Sequence, residues 1–127
     1  MMTFLKRYSD NLYSLMRVIA GFLYACHGAQ KLFGVLGGPA MRQVPLMLAA
    51  GIIEFFGGLL IALGVFTAIA ALIASGEMAA AYFLRHAPNG LWPIRNHGEM
   101  AVLFCFVFLF IASRGDGTWS ARRLLKR

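Results

Sequence analysis

Three glutamates lie within or at the edge of long apolar stretches, where a charged side chain is costly. Glu54 belongs to the run GIIEFFGGLLIALGVF, Glu77 to SGEMAAAYF, and Glu99 opens GEMAVLFCFVFLF. A charge at the centre of a membrane costs about 2.5–3.5 kcal/mol on insertion scales, so such a group must face other polar groups. Acids in this setting either pair with cations as structural bridges or exchange protons at a ligand site.

Basic and imidazole side chains lie at the ends of the same apolar runs. His27 and Lys31 are four residues apart and share a face if the first run is helical. Arg85 and His86 close the third run. Acids and cations gathered inside a membrane protein can form a protonatable, partly desolvated pocket. We therefore predict a ligand pocket from these candidates: His27, Lys31, Glu54, Glu77, Arg85, His86 and Glu99.

The same residues would also serve as purely structural ion pairs. In that interpretation Lys31 bridges to Glu54, and Glu77 bridges to Arg85 or His27. Such bridges would specify how the helices pair without performing any chemistry. The spacing alone does not distinguish structural ion pairs from a ligand pocket, so both alternatives stay open here.

Other kinds of chemistry find little support in the sequence. His86 and His97 are the histidines closest in sequence, and their spacing matches no strong ligand motif, so we predict no metal site. The chain has no glycine-rich phosphate loop, no G-x-S-x-G and no haem motif. We therefore expect no intrinsic cofactor and assign no catalytic residue. Arg17 is predicted to be a structural charge that contacts the C-terminal tail or a lipid phosphate.

The composition indicates a single integral membrane domain over residues 1–127. Hydrophobic residues make up 60% of the chain and charged residues only 13%, whereas about a quarter of a soluble domain is charged. The net charge of +7 comes from basic residues that mostly flank the apolar runs. This distribution favours contact with anionic membrane lipids and argues against nucleic acid as a partner.

Glycine, proline and polar residues divide the apolar sequence into four segments. We predict helices at residues 12–33, 46–64, 67–85 and 98–113, followed by a basic tail at residues 114–127. Gly64 would end the second helix and Thr67 would cap the third. Backbone hydrogen bonds must be satisfied within a membrane, so the predicted fold is an all-α four-helix membrane bundle.

The distribution of lysine and arginine predicts how the bundle lies in the membrane. The two termini carry more basic residues than the loops at the opposite end, so both are predicted to be cytoplasmic in a multi-pass inner (plasma) membrane protein. In that orientation Glu54 and Glu77 lie at one depth, about 13 Å from the outer side at 1.5 Å per residue. Arg17 is then the deep charge of the inner half.

Several short motifs follow one another along the chain: Arg17 in the first helix, HGxxKLFG from His27, GxxExxGGxLxxLG from Gly51, SGEMAxAYF from Ser75, His86-Ala87-Pro88, WPxxNxGE from Trp92 and RGxGxWS from Arg114. Their order and spacing resemble the DoxX family of small four-helix membrane proteins. Relatives commonly continue the last motif with a Leu-Asp pair, whereas Ala121 and Arg122 follow it here. The missing acid weakens the case for a contact between the tail and Arg17.

The resemblance implies a redox role at the membrane. The family is named by similarity to a membrane subunit of an archaeal thiosulfate–quinone oxidoreductase, and other members are linked to redox or oxidative-stress complexes. By resemblance we expect a quinone-interacting subunit of a redox complex, with membrane lipids, an outer-face redox partner protein and a homo-oligomer as candidate partners. A non-enzymatic membrane scaffold is the alternative. A small transporter is disfavoured because the inner half of the helices offers only Arg17.

Overall fold

The computed structural model describes residues 2–126, and all regular structure in that range is helical. The all-α class expected from the sequence is therefore confirmed. Met1 and Arg127, at the ends of the predicted domain, lie outside the described residues. The α-helices are α1 (Met2–Arg7), α2 (Ser9–Phe33), α3 (Pro45–Leu63), α4 (Thr67–Ala81), α5 (Pro93–Asn96), α6 (Glu99–Arg114) and α7 (Ala121–Leu125).

The long helices α2, α3, α4 and α6 pack side by side and alternate in direction. α4 continues into a π-helical turn at Tyr82–His86 and then a 3-10 turn at Ala87–Asn89. We call the end of the bundle that holds residues 34–44 and 87–98 the loop end. The opposite end, which holds residues 115–126, is called the tail end.

α2 and α3 form the closest helix pair because glycine removes the side chains between them. A Cβ atom added at Gly21 would lie 2.7 Å from the carbonyl oxygen of Gly58. A Cβ atom at Gly28 would lie 2.8 Å from the carbonyl oxygen of Gly51. Small residues at such positions let two backbones approach within van der Waals contact, the main source of helix association in lipid. The glycines thereby hold α2 and α3 in one register.

α4 and α6 form the second pair, in which small residues of one helix face large residues of the other. Ala71 and Ala74 of α4 are fully buried, as are Phe108 and Ile111 of α6. The Ser75 hydroxyl donates a hydrogen bond of 2.7 Å to the carbonyl oxygen of Cys105. The pairing of small with large side chains fills the space between the helices, and the hydrogen bond satisfies the buried Ser75 hydroxyl.

The turn from α3 to α4 differs from the expectation in one detail. Gly64 ends α3 with a left-handed φ of 75° and closes the helix with hydrogen bonds to Leu60 and Ile61. Thr67, however, is the first residue of α4 and does not cap it. The preceding residue is Phe66, also left-handed at φ 49°, and no side chain caps the helix. The prediction that Thr67 caps α4 was therefore wrong.

The outer surface of the bundle is strongly apolar. Within the described residues, two helical stretches are long and apolar enough to cross a membrane, Pro45–Leu63 and Thr67–Asn89. α6 is shorter, with 16 residues. Large apolar side chains are exposed on every long helix, among them Ile19, Phe22, Ile52, Phe56, Ile69, Leu72, Phe106 and Leu109. Soluble monomers rarely expose contiguous apolar surface on this scale, so the surface suits contact with lipid.

Candidate functional site

A cavity of about 650 Å³ lies at the loop end, bounded by α2, α3, α4 and α6. The structure brings most of the predicted pocket residues to its wall: His27, Lys31, Glu54, Glu77, Arg85 and His86. Glu99 is not among them. It begins α6 outside the cavity and lines a separate surface depression of about 460 Å³ together with His97. The rest of the cavity wall is mainly apolar and includes Met47, Met78 and Phe104.

Glu54 and Glu77 lie side by side, and one lysine accompanies them. Lys31 Nζ is 2.6 Å from Glu54 Oε2, and the Glu54 side chain is only 3% exposed. The Tyr24 hydroxyl donates a hydrogen bond of 3.1 Å to Glu77 Oε2. Both glutamate side chains line the cavity. Within the described residues Lys31 is the ion-pair partner of Glu54, and Glu77 makes no ion pair.

The helical period explains why these side chains converge. Tyr24, His27 and Lys31 are spaced by three and four residues, which places them on one face of α2. Glu54 lies at the middle of α3, and Glu77 lies in the C-terminal third of α4. The glycine contacts between α2 and α3 bring the Lys31 side chain to Glu54 across the interface. Tyr24 lies further along the same face of α2, and its hydroxyl donates a hydrogen bond to Glu77.

The π-helical turn after α4 carries the remaining polar residues of the cavity. A π-turn holds one more residue per turn than an α-helix and often occurs at functional sites. Here it places Arg85 and His86 on the cavity wall. His86 Nδ1 lies 3.2 Å from the carbonyl oxygen of Asn96, which ties the turn to α5.

Asn96 organises the segment that closes the loop end. Its side chain is buried, and its amide nitrogen donates to the carbonyl oxygen of Gly90 at 2.7 Å and to the Tyr82 hydroxyl at 3.2 Å. Its amide oxygen accepts a hydrogen bond of 2.8 Å from the backbone nitrogen of Gly98. Three bonds from one side chain therefore position the residues around His86 and His97.

Tyr24 and Asn96 are site residues that the sequence reasoning missed. Tyr24 could have been found from its spacing, since it lies one turn before His27 on the same face of α2. Asn96 is the asparagine of the WPxxNxGE motif. Its importance comes from three hydrogen bonds to groups in the same segment of the chain, which only the fold of that segment reveals.

The predicted ion pairs have different outcomes. Lys31 forms the bridge to Glu54. Glu77 instead has the Tyr24 hydroxyl as its hydrogen-bond partner, and within the described residues it makes no ion pair with Arg85 or His27. No group of three or more histidine, cysteine or acidic side chains able to hold a metal ion occurs within residues 2–126.

Arg17 forms a separate cluster at the tail end. It is fully buried and donates to the carbonyl oxygen of Ile61 at 3.1 Å and to that of Trp119. The tail is held further by the Tyr13 hydroxyl, which donates to the carbonyl oxygen of Gly115 at 2.6 Å. The expectation that the missing acid weakens the contact between the tail and Arg17 was wrong, because backbone carbonyls take the place of the acid.

Asp116 supplies the acidic group of this tail segment. Its carboxylate lies 3.2 Å from Arg122 Nη1. Burial acts to raise the pKa of Asp116, but its contacts with Thr67 and Arg122 outweigh burial and lower the pKa below the ordinary value. The tail thus neutralises part of its own positive charge, while its backbone carbonyl at Trp119 accepts a hydrogen bond from Arg17.

Comparison with known proteins gives the same family that the motifs resemble. The sequence model of the DoxX family matches residues 12–87, which include the carboxyl pair, Lys31 and Arg17. An uncharacterized protein of Haemophilus influenzae is 36% identical over 120 residues, covering 89% of this chain and 90% of that protein. No solved structure matches the chain.

Proposed function

Because the chain belongs to the DoxX family and is a membrane protein, we propose that it binds a quinone or a similar lipid-soluble redox molecule in the cavity at the loop end. The observation that carries the proposal is one buried wall that combines two adjacent carboxyl groups, a lysine and apolar surface. Structural ion pairs need no space beside them, whereas this cluster borders about 650 Å³. That volume is within the range of small-molecule sites.

The proposed topology is a multi-pass protein of the inner membrane in which α2, α3, α4 and α6 cross the bilayer. Both termini are cytoplasmic in this arrangement, and the cavity lies in the outer half. Basic residues at the tail end support it, since Arg114, Arg122 and Arg123 gather there with Lys6 and Arg7 of α1. α6 would span about 24 Å at 1.5 Å per residue, short enough to require local thinning of the bilayer.

The residues around the cavity fit a quinone head group. Its carbonyl oxygens need hydrogen-bond donors, and Lys31 and His27 are available at the wall. Its ring needs apolar or aromatic contact, which Met78 and Phe104 offer. In this assignment Lys31 retains its bridge to Glu54 and presents its remaining protons to an oxygen.

When bound, a quinone can accept two electrons and two protons. The role of this chain would be to bind the ring, exclude water and hold a proton at the Glu54–Glu77 pair. Sequence and composition offer no redox group of the chain's own, so a partner protein or a reduced substrate supplies the electrons. The protein is then the membrane subunit of an oxidoreductase complex.

The test is native mass spectrometry of the protein extracted with its own lipids, beside the variants Glu54→Gln and Glu77→Gln. Asp10→Asn is a matched control because its carboxylate is exposed at the tail end. We expect an adduct of quinone mass on the wild type and the control and a loss of it in both cavity variants. If no adduct is seen and quinone analogues leave the melting temperature of the wild type unchanged, the proposal is wrong.

A membrane scaffold is the second candidate, and the Lys31–Glu54 bridge is the observation that favours it. With the Glu54 side chain almost fully buried, removal of either partner would leave an unpaired charge between α2 and α3. A scaffold requires only this pairing, so its assembly would not depend on the neighbouring cavity. The charge exchange described in the Discussion separates the two functions.

A further inference from the structure

A second cavity, of about 410 Å³, lies on the lipid-facing side of the bundle between α2 and α6. We call it the seam groove. α2 contributes Leu15, Ile19 and Leu23 to its wall, and α6 contributes Leu103 and Val107. The groove exists because α2 and α6 touch at few points, unlike the closely packed pairs α2–α3 and α4–α6.

The seam groove and the polar cavity share two lining residues, Met100 and Phe104. The Phe104 ring stands edge-on to His27 with centroids 6.3 Å apart and lies 6.0 Å from the Tyr24 ring. One face of this boundary therefore belongs to the polar site and the other to the bilayer. Methionine is flexible and Met100 is exposed, so rotation of its side chain can let a molecule pass this boundary.

We propose that the seam groove receives the hydrocarbon chain of the same molecule whose polar head occupies the cavity. This inference rests on the proposed function. The head would enter sideways from the bilayer between Met100 and Phe104, and the chain would follow along α2 towards Leu12. From Leu23 to Leu12 the groove extends about 17 Å at 1.5 Å per residue. In the proposed topology it runs from the outer half of the membrane inward, the direction in which the chain of such a molecule must lie.

The continuity of the two cavities favours a chain over other occupants. A docked partner helix would cover the exposed face of α2 and α6 and would have no reason to meet a polar cavity. The groove instead begins at the polar wall and is lined by apolar side chains along its length. A molecule with one polar head and one long chain matches both parts.

The expected contribution of the chain to affinity is modest. Lipid tails are as apolar as leucine, so transfer of the chain from bilayer to groove brings no hydrophobic gain. Its gain comes from van der Waals contact with a shaped surface, and about a tenfold change in affinity is the expected scale.

The test uses two probes with the same ring, 2,3-dimethoxy-5-methylbenzoquinone with and without a decyl chain. The measured quantity is the ratio of their two affinities for protein in lipid nanodiscs. Ile19→Trp and Leu103→Trp fill the groove from opposite walls, and Leu72→Trp is the matched control on the exposed face of α4. We expect the decyl chain to improve binding to the wild type and the control, and this gain to fall about tenfold in both groove variants.

Because both probes carry the same ring, the ratio of their affinities cancels any effect of a variant on binding of the ring. If the ring binds but the decyl gain is equal in groove variants and control, the inference is overturned and the proposed function stands. If neither quinone binds to the wild type, both are overturned. A decyl quinone with a diazirine at the end of its chain gives a second readout. Labelling should concentrate on α2 and α6, and equal labelling of the outer face of α4 would contradict the groove.

Discussion

The two ends of the bundle both bury charge between apolar helices, but they surround it differently. At the tail end, Arg17 is enclosed by backbone, with carbonyl oxygens of Ile61 and Trp119 as acceptors. At the loop end, Glu54 and Glu77 have titratable neighbours and border a cavity. Backbone carbonyl oxygens are not titratable groups, whereas carboxyl groups are. A buried charge is therefore structural at one end and suited to ligand binding at the other.

The largest effect is expected at the tail end. In Arg17→Met the side chain no longer donates to either carbonyl, and the tail loses its buried anchor. We expect a loss of about 3 kcal/mol in the free energy of unfolding, seen as a lower melting temperature and faster proteolysis after residue 114. Arg17→Lys keeps the charge without the planar fork and should lie in between.

The control for this variant is Arg123→Met, an exposed arginine on α7. It should change neither the melting temperature nor the proteolysis of the tail. A tail that stays resistant to protease in Arg17→Met would show that the tail is not held by this arginine. It would also remove the contrast between the two ends.

A charge exchange at Lys31 and Glu54 sharpens the contrast at the loop end. Lys31→Glu gathers three acids and Glu54→Lys places two lysines together, and because Lys31 is partly exposed each single variant should be destabilised by about 2 kcal/mol. The double variant restores one ion pair and should regain most of the melting temperature. Quinone binding should stay lost, because the lysine and the acid then occupy exchanged places beside Glu77.

The two functions give opposite results in that double variant. Regained assembly together with regained function would support the scaffold, since only the pairing would matter. Regained stability with lost quinone binding would support the pocket. Single variants with unchanged stability would contradict the scaffold, because the bridge would then contribute nothing to the pairing of the helices.

The smallest effect is expected at Asn96, which supports the loop end without bearing charge. Asn96→Ala removes three hydrogen bonds, but the Tyr82 hydroxyl still donates to Leu91 and the backbone nitrogen of Gly98 to Pro93, so we expect a loss of about 1–2 kcal/mol. Hydrogen exchange should speed up in residues 87–98 and stay unchanged at the tail end. Asn11→Ala is the control, since its bond to Trp119 is exposed. Exchange that rises equally at both ends would show that Asn96 acts on global stability only.

The sequence said more about the depth of the buried charged residues and the helix faces that carry them than about the groups that they contact. The cost of a buried charge requires polar company for Glu54 and Glu77, and the helical rise places both at one depth. Family membership was also readable from motif order, and the comparisons confirmed it. The π-turn after α4 left no comparable signal, because the pattern that precedes it continues an ordinary helix.

Glu77 illustrates the limit of this reasoning. Its sequence neighbours suggested a cation as partner, and the structure supplies the Tyr24 hydroxyl instead. Periodicity gives the face of each helix but not the rotation and distance between helices, which depend on contacts such as Gly21 with Gly58. For Arg17 the sequence predicted the tail as a partner but did not identify the accepting atoms. These acceptors are backbone carbonyl oxygens, which every residue has, so no pattern of side chains can predict which ones bind the arginine.

Side-chain types, spacing and the energetic cost of buried charge were thus enough to identify an all-helical membrane protein and to select six of the polar residues that line its cavity. The cavity volume, its continuity with the seam groove and the enclosure of Arg17 by the tail arise only when the helices pack. They depend on which surfaces stay apart as well as on which come together, and α2 and α6 stay apart because the glycine and alanine contacts draw each of them towards another helix.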